Sequence, residues 1–238
     1  DPGEAFRRAK KIISADYQVP YLAHAPMEPL NATAELKGGR CEVWTSTQVA
    51  SKCKAAAAFA ADVPEESVTL HTHLVGGGFG RRLESDYVSE AVTVARVGGR
   101  AVKVIWSRPE MMRHGFYRPS SFSRLQAGLD ASGQLIAWTH RIACPSILAR
   151  LRPGGGVDGS SVEGADDLPY GVANFRVDYH QVDHGVPVGF WRSVGYSQNA
   201  YMTEAFFDEV ARHAGKDPLA MRLELLADKP RHRRVLEL

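Results

Sequence analysis

Apolar residues recur along the chain with two periods, one of two residues and one close to 3.6, and these periods predict short strands and helices. Alternation predicts strands at residues 31–36, 41–45, 68–74, 101–106, 123–129, 134–143 and 175–182. Helical spacing predicts helices at residues 49–61, 86–96, 199–214 and 219–226, and a short helix or an extended arm at 4–15. Strands and helices do not alternate strictly, so the pattern favours an α+β architecture with mixed sheets over a doubly wound sheet.

Turn and capping residues support several of these boundaries. Residues 37–40 and 130–133 each contain glycine between two strand-like runs, which predicts two β-hairpins. Side chains that accept a hydrogen bond from the first turn of a helix are also present where three of the helices begin. The residues expected to cap these helices are Ser46 or Thr47, Ser197, and Asp217.

A glycine-rich stretch, Gly76 to Arg82, lies between a predicted strand and a predicted helix. Four glycines in five positions allow positive φ and let backbone N–H groups approach a ligand, although a plain strand-to-helix turn explains the composition equally well. The stretch ends in Arg81-Arg82 rather than Lys-Ser or Lys-Thr, so it is not a Walker loop. Arg81 also replaces the third glycine of a dinucleotide fingerprint, which excludes that motif as well.

Composition narrows the class of protein. The chain has 238 residues, 44% apolar and 24% charged, which is typical of a globular protein with one large domain or two small ones. A formal net charge of +2 does not indicate nucleic-acid binding, and no apolar run approaches the roughly 20 residues that span a bilayer. Because the chain begins Asp1-Pro2 without methionine, we expect it to be part of a longer protein.

Potential metal ligands are scattered. The cysteines are odd in number, show no C-x-x-C spacing and do not form a zinc pattern with the histidines. His71 and His73 would share one face of a strand, and we expect them to pack or to form hydrogen bonds rather than to bind a metal.

Three less regular regions are also interpreted from composition. Prolines on both sides of Met27-Glu28 exclude a regular element there, and we expect Glu28 to be a structural carboxylate that accepts backbone N–H groups. Residues 150–171 are rich in Gly, Asp and Ser and are predicted to form a long surface loop. Residues 229–238 are predicted to be a solvated basic tail.

Four motifs, in order, carry a resemblance to a known family: Met27-Glu28-Pro29, residues 44–48 ending in Gln48, the glycine stretch, and Gly189-Phe190-Trp191-Arg192-Ser193-Val194-Gly195. Together they resemble the molybdenum-binding large subunit of the xanthine dehydrogenase/aldehyde oxidoreductase family, from about residue 21 to residue 227. The sequence of the last motif is most similar to that of the isoquinoline 1-oxidoreductase β-subunit branch of the family.

The resemblance implies specific roles. The family's glutamine at the position of Gln48 hydrogen-bonds an oxygen on molybdenum, its glycine loop packs against the metal centre and the pterin, and its arginine at Arg192 lies at the active-site pocket. No protein atom ligates the metal, because the pterin dithiolene holds it. Taken singly, Gln48 is better explained as a helix-terminus residue, Phe79 as a core aromatic and Arg192 as part of an ion pair. Taken jointly with the glycine loop, these three residues favour the cofactor site. The residues implied to contact the cofactor are Gln48, Gly76, Gly77, Gly78, Phe79, Gly80, Arg81 and Arg192, with Gln48 and Arg192 also catalytic.

The resemblance also implies an incomplete enzyme. Residues 21–228 would form only the first half of a molybdenum-cofactor-binding domain, with residues 1–20 an arm or the remnant of a preceding domain. The family's general-base glutamate, in a Gly-x-Gly-Glu segment, is expected to be absent from this chain. The candidates that remain are Glu28, which we expect to be structural, Glu84 and Asp86 at a helix start, and Glu204 inside a helix.

The implied reaction is hydroxylation of an N-heterocycle or an aldehyde with water-derived oxygen. The intact subunit would use molybdopterin in the cytosine dinucleotide form, and the isolated chain would lack the cofactor and be inactive. Expected partners are the missing C-terminal half of the subunit, a small [2Fe-2S] subunit, since no Cys₄ pattern occurs here, and a second copy through exposed apolar surface. The alternative is a cofactor-free subunit-interaction domain with the same fold. Cytoplasm and periplasm are both compatible with the sequence.

Overall fold

The computed structural model describes residues 1–151, 154 and 156–238. Strands and helices are mixed along the chain, and the sheets are themselves mixed, which confirms the α+β class. The helices are α1 (Pro2–Arg8), α2 (Ala50–Ala61), α3 (Asp86–Gly98), α4 (Arg108–Arg113), α5 (Ile147–Leu151), α6 (Gly159–Val162), α7 (Tyr196–His213), α8 (Pro218–Leu225) and α9 (Pro230–Leu236). The strands are β1 (Lys11–Val19), β2 (Asn31–Lys37), β3 (Arg40–Thr45), β4 (Val68–Thr72), β5 (Val102–Ile105), β6 (Ser121–Leu129), β7 (Leu135–Cys144) and β8 (Phe175–Gln181).

The chain divides into two compact units. The first, called the loop unit here, comprises Leu22–Arg118 together with the short stretch Gly189–Arg192. The second, called the flanking unit, comprises Asp1–Tyr21, Pro119–Val188 and Ser193–Leu238. Each unit has a four-stranded sheet and its own buried apolar cluster.

In the loop unit, strands lie in the order β4-β3-β2-β5. The predicted hairpin of β2 and β3 is present, and α2 crosses from β3 to β4 so that these two strands pair in parallel. The helices α2 and α3 share one buried core with this sheet. Their buried faces are rich in alanine, which allows a close approach of the helices to the strands.

In the flanking unit, strands lie in the order β1-β6-β7-β8, and the second predicted hairpin joins β6 to β7. The long helix α7 buries its apolar side in the same cluster as the inner face of the sheet. Trp138 of β7 contacts Phe206 of α7 edge-on, with ring centroids 5.0 Å apart. Apolar burial of this kind is the main stabilising term of such a core.

Residues 4–15, predicted as a short helix or an extended arm, contain a short helix and then an extended strand, because α1 ends at Arg8 and β1 then pairs antiparallel with β6. Two predicted helix caps were wrong. Thr47 does not cap α2: it lies two residues before the N-cap position Val49, and its Oγ1 accepts from Val49 N at 3.0 Å. The helix α7 begins at Tyr196, so Ser197 lies inside it and is not its cap. The predicted cap Asp217 is confirmed, since it accepts from the backbone N–H of Ala220 at 2.8 Å.

Helices also occur in the predicted surface loop and in the predicted basic tail. The short helix α6 interrupts the predicted loop 150–171, where Asp158 caps it by accepting from Ser160 N at 2.9 Å. Residues 152, 153 and 155 of that loop lie outside the described residues. In the predicted basic tail, residues 230–236 form α9. Within the described part of the chain, no helix is both long enough and apolar enough to cross a membrane.

Candidate functional site

The glycine stretch and Gln48 meet at one edge of the loop-unit sheet. Because β3 and β4 are parallel neighbours, their carboxyl ends lie side by side, and the chain leaves β3 towards Gln48 and β4 towards the glycines. The backbone N–H of Gly80 donates to Gln48 Oε1 at 3.0 Å. A Cβ at Gly78 would lie 2.4 Å from that same oxygen, so a side chain there would displace Gln48 from this hydrogen bond. The structure therefore brings two of the predicted site segments into direct contact.

The third predicted segment joins them from far along the chain. Arg192 N donates to the carbonyl oxygen of Phe79 at 2.9 Å, and Gly189 N donates to that of Tyr117 at 2.9 Å. Gly80 has φ +104°, and a Cβ there would overlap the Phe190 carbonyl oxygen. Glycine at this position is thus needed for both its backbone conformation and the close approach of residues 189–192.

A histidine that the motif analysis did not select also holds this segment. His24 is buried, and its Nε2 lies 2.8 Å from the Phe190 carbonyl oxygen, to which only an N–H can donate. Burial lowers the pKa of His24, against the hydrogen bond to Phe190 that favours its charged form. No periodic signal marks His24, because it lies in the proline-rich irregular segment.

Glu28 is a structural carboxylate, as predicted. Its Oε2 accepts from Gly76 N at 2.7 Å, and its Oε1 accepts from Asn31 Nδ2 at 2.8 Å and from Ser46 Oγ at 2.9 Å. Arg82 Nη2 lies 3.3 Å from Oε2. Burial alone would raise the pKa of Glu28, but these donors together hold it below its usual value, so the carboxylate is ionised at neutral pH.

Arg82, which the sequence reasoning did not select, is the fully buried centre of this network. Its Nε donates to Gly77 O at 3.0 Å, and its Nη2 donates to Glu28 O at 3.0 Å. A third donor, Nη1, contacts Ser46 O at 3.3 Å. One guanidinium thus binds three separate stretches of backbone, which its planar arrangement of five N–H groups permits.

The side chain of Arg81 turns into the protein, contrary to a role of this side chain in binding a ligand. It forms two hydrogen bonds to Asp86, at 2.8 and 2.5 Å, and lies within 5.4 Å of the ring centres of Trp106 and Phe116. A guanidinium that is 1% exposed and paired in this way has a structural role. The backbone N–H of Arg81 is engaged as well, since it donates to Gly78 O at 2.9 Å.

Donors of the predicted site remain on its exposed side. Gln48 and Arg192 are exposed, and Phe79 is 41% exposed with φ +53°. Within the described residues, neither Gln48 Nε2 nor the Arg192 guanidinium donates a hydrogen bond to the chain itself. This set of a neutral amide and an arginine beside the glycine loop suits an anionic group with oxo or phosphate oxygens, and it fits a pterin cofactor that brings its own metal ligands.

The remaining acidic candidates are engaged elsewhere. Glu84 Oε2 lies 3.5 Å from Lys52 Nζ, Asp86 binds Arg81, and Glu204 in the flanking unit binds Arg222 Nη2 at 2.8 Å. His71 stacks on Trp44 and lies 3.3 Å from Glu42 Oε2, which confirms its predicted packing role. Among the described residues, no three His, Cys, Asp or Glu side chains are grouped so as to hold a metal ion.

The chain is similar in sequence to one domain family and to several characterised proteins. Residues 1–226 match the molybdopterin cofactor-binding domain. The chain is 32% identical over 234 residues to the isoquinoline 1-oxidoreductase subunit beta of Brevundimonas diminuta, covering 93% of this chain and 29% of that protein. It is 33% identical over 242 residues to a Gluconacetobacter polyoxogenes protein named as a membrane-bound aldehyde dehydrogenase with pyrroloquinoline quinone, covering 97% and 31%.

A solved structure shows the same fold. The aldehyde oxidoreductase from Desulfovibrio gigas superposes with a TM-score of 0.80 at 20% identity, over 94% of this chain and 25% of that chain. The chain spans less than a third of the length of these relatives.

Proposed function

Since this chain belongs to the molybdopterin cofactor-binding domain family, we propose that Gln48, the loop Gly76–Gly80 and Arg192 contact a molybdopterin cofactor in the large subunit of a molybdenum hydroxylase. The observation that carries the proposal is the meeting of three segments that are distant in sequence. Gly80 binds Gln48 and Phe79 binds Arg192, each by a hydrogen bond of 3.0 Å or less.

When bound, the cofactor supplies a redox-active molybdenum centre at which an electron-poor carbon is hydroxylated with oxygen from water. Gln48 contributes a preorganised amide. Its Oε1 is held by Gly80, so its Nε2 faces outward and donates without any rearrangement. A neutral donor of this kind stabilises an oxygen that gains negative charge and does not compete for the metal.

Arg192 contributes fixed positive charge. Its backbone is tied to Phe79, while its guanidinium is exposed and free of carboxylate partners among the described residues. A planar guanidinium binds two oxygens of one anion at once, which orients a substrate or a developing anionic group. We assign Arg192 to this positioning of charge at the pocket.

The proton acceptor of the reaction is assigned to a part of the subunit other than this chain. A general base must lie within about 2.6–3.2 Å of the proton that it takes, directly or through one water. The four candidate carboxylates, Glu28, Glu84, Asp86 and Glu204, each bind cations or N–H groups of the chain itself.

The names of two relatives support a substrate class. The names isoquinoline 1-oxidoreductase and aldehyde oxidoreductase favour an N-heterocycle or an aldehyde as the substrate class. We propose the cytosine dinucleotide form of the cofactor, a separate [2Fe-2S] subunit as electron acceptor, and little bound cofactor in this chain alone.

The proposed cofactor binding is tested by placing this chain in a relative's subunit, in exchange for the matching segment. The segment of the Brevundimonas diminuta subunit that matches this chain is exchanged for residues 1–238, and the hybrid is expressed with its partner subunit. We expect molybdenum close to that of the unaltered relative in elemental analysis, and dye-coupled oxidation of isoquinoline or of an aromatic aldehyde. The 238-residue chain alone is the control, for which we expect little molybdenum and no turnover.

A hybrid that folds, as judged by circular dichroism and a cooperative thermal transition, but contains no molybdenum would favour the cofactor-free interaction domain instead. Recovery of pyrroloquinoline quinone from the hybrid in place of molybdenum would contradict the cofactor assignment.

A further inference from the structure

We propose that Glu28 is a positioning residue whose carboxylate fixes the spacing between the glycine loop and the segment that carries Gln48. The inference rests on the proposed function, since it explains how the chain holds the donors of that site in place. It assigns no contact between Glu28 and the cofactor or a substrate.

The two oxygens of Glu28 reach two different segments. Oε2 accepts from Gly76 N at 2.7 Å, where the glycine loop begins. Oε1 accepts from Ser46 Oγ at 2.9 Å, where the chain has just left β3 and is two residues from Gln48. One carboxylate therefore joins the starts of both segments, while the hydrogen bond from Gly80 to Gln48 joins them at their far ends.

Packing fixes the same arrangement. A Cβ on Gly76 would come within 2.5 Å of Glu28 Cβ, so the loop lies directly against this side chain. Glu28 N in turn donates to Gly76 O at 3.0 Å. Backbone and side chain of Glu28 thus hold Gly76 from both sides.

Arg82 is a second side chain that binds both the glycine loop and the segment that carries Gln48. Arg82 Nε donates to Gly77 O, one residue after the Gly76 that Glu28 binds. Arg82 Nη1 donates to Ser46 O, and Ser46 is also a residue that Glu28 binds. Arg82 Nη2 also lies 3.3 Å from Glu28 Oε2. The pair of Glu28 and Arg82 therefore acts on both segments together, and movement of one segment disturbs the other.

Only a carboxylate satisfies this site. Three groups donate hydrogen bonds to the Glu28 carboxylate, namely Gly76 N, Asn31 Nδ2 and Ser46 Oγ, and the positive charge of Arg82 lies 3.3 Å from Oε2. A glutamine offers one acceptor oxygen, and its amide N–H₂ would face at least one of these donors. Glu28→Gln is thus nearly the same size, but it removes the negative charge and places an amide donor against another donor.

The experiment uses the isotope-labelled 238-residue chain without cofactor, and follows backbone amide resonances during acid titration. We expect the amides of Gly76 and Gly80 to shift with one common midpoint, below the value of about 4.3 that is usual for a glutamate. In Glu28→Gln this common transition is lost. In the control Glu66→Gln, which removes an exposed carboxylate remote from the loop in sequence, it is retained.

Hydrogen exchange at neutral pH gives a second measurement. In Glu28→Gln the Gly76 and Gly80 amides are expected to exchange about tenfold faster or more, as for the loss of a charge-assisted hydrogen bond, while Ala34 and Val88 in the core keep their protection. Ser46→Ala, which removes one contact and no charge, is expected to accelerate Gly80 in the same direction but to a smaller extent.

Acceleration of Gly76 with Gly80 unchanged would overturn the proposal, because Glu28 would then hold only the start of the loop. An unchanged Gly76 amide would overturn it as well. If Glu28→Gln unfolds the core, the Ser46→Ala variant decides, and an unaltered Gly80 in that variant contradicts the proposal. Since no cofactor is present, these outcomes are independent of the molybdenum content that tests the proposed function.

Discussion

At the scale of single residues, Gln48 offers the most direct test of the proposed chemistry. In the hybrid subunit, Gln48→Ala removes one preorganised donor, and the expected loss of about 2.7–4 kcal/mol lowers turnover by roughly 10²–10³ if it acts as an oxyanion-hole donor does. Gln48→Glu keeps the acceptor for Gly80 but replaces the outward amide by negative charge, so we expect it to be at least as damaging. Turnover and molybdenum content are measured together to separate chemistry from cofactor loss.

Arg192 is expected to fail in a different way. Arg192→Lys keeps the positive charge but loses the planar guanidinium, which binds two oxygens at once. We therefore expect both substrate affinity and turnover to fall. Arg176→Lys, an exposed arginine paired with Asp178 in the flanking unit, is the matched control. Normal turnover and normal metal content in both Gln48→Ala and Arg192→Lys would show that the assigned roles are wrong.

A buried histidine outside the site makes stability depend on pH. His140 is fully buried, neither ring nitrogen has a hydrogen-bond partner among the described residues, and burial lowers its pKa to about 4. Above pH 6.5 the imidazole is neutral whether the chain is folded or not. Between pH 6.5 and about 4 only the unfolded chain takes up the proton, so His140 costs up to about 3 kcal/mol as the pH falls.

The prediction is tested by denaturant unfolding across this pH range. His140→Phe should flatten the fall in the free energy of unfolding between pH 6.5 and 4, whereas the exposed His184→Gln should leave it as steep as in the parent. Equal slopes in the parent and His140→Phe would exclude a neutral buried His140.

The sequence predicted some of these residues and missed others for physical reasons. Gln48, the glycine loop and Arg192 lie in recognisable motifs, and Glu28 is confined between prolines, which indicated a structural role. Arg82 and His24 lie in no such motif. Their importance comes from which distant carbonyl groups they reach, and such contacts exist only after the chain has folded.

At the scale of elements, most strands and helices were predictable from their apolar periods. Helix starts were less predictable, because Thr47 and Ser197 have the right chemistry but the structure places Thr47 two residues before the N-cap and Ser197 inside the helix. The parallel pairing of β3 with β4 was not evident either. It depends on the path of α2 across the sheet rather than on any local pattern.

The contact between the loop and residues 189–192 makes Gly80 more sensitive than other glycines with positive φ. Gly80→Ala adds a Cβ that overlaps Phe190 O, so we expect a cost of about 3–4 kcal/mol from strain and displacement together. Gly99→Ala at the end of α3 has φ +61° but no atom within 4 Å of the new Cβ, and should cost only about 1 kcal/mol.

Thermal and denaturant unfolding of the two variants measure this difference. Similar losses in both would show that residues 189–192 do not press against Gly80 in solution.

At the scale of the whole molecule, exposed apolar residues around the glycine loop predict self-association of the isolated chain. Leu74 is 98% exposed and Met27 is 86% exposed, and both adjoin the loop, as does Phe79. Apolar groups clustered in this way favour burial against another surface. Leu74→Asp should shift sedimentation towards the monomer. Val97→Asp on α3, a residue 82% exposed, is the control and should not.

A parent chain that sediments as a monomer at every concentration would contradict this prediction.

The division into two units was not predictable from composition. The flanking unit is built from three separate stretches of chain, and no linker-like segment marks where they meet.

The hydrogen bond between Phe79 and Arg192 also sets an order of events during synthesis. A ribosome adds about 5–20 residues per second, so roughly 5–20 s pass between the appearance of Phe79 and that of Arg192. During this interval the nascent glycine loop has Gln48 beside it but lacks the Phe190 carbonyl and the Arg192 amide. A ligand that requires all three segments can therefore bind only after translation has passed residue 192, and a nascent chain arrested before residue 189 would display the loop without retaining that ligand.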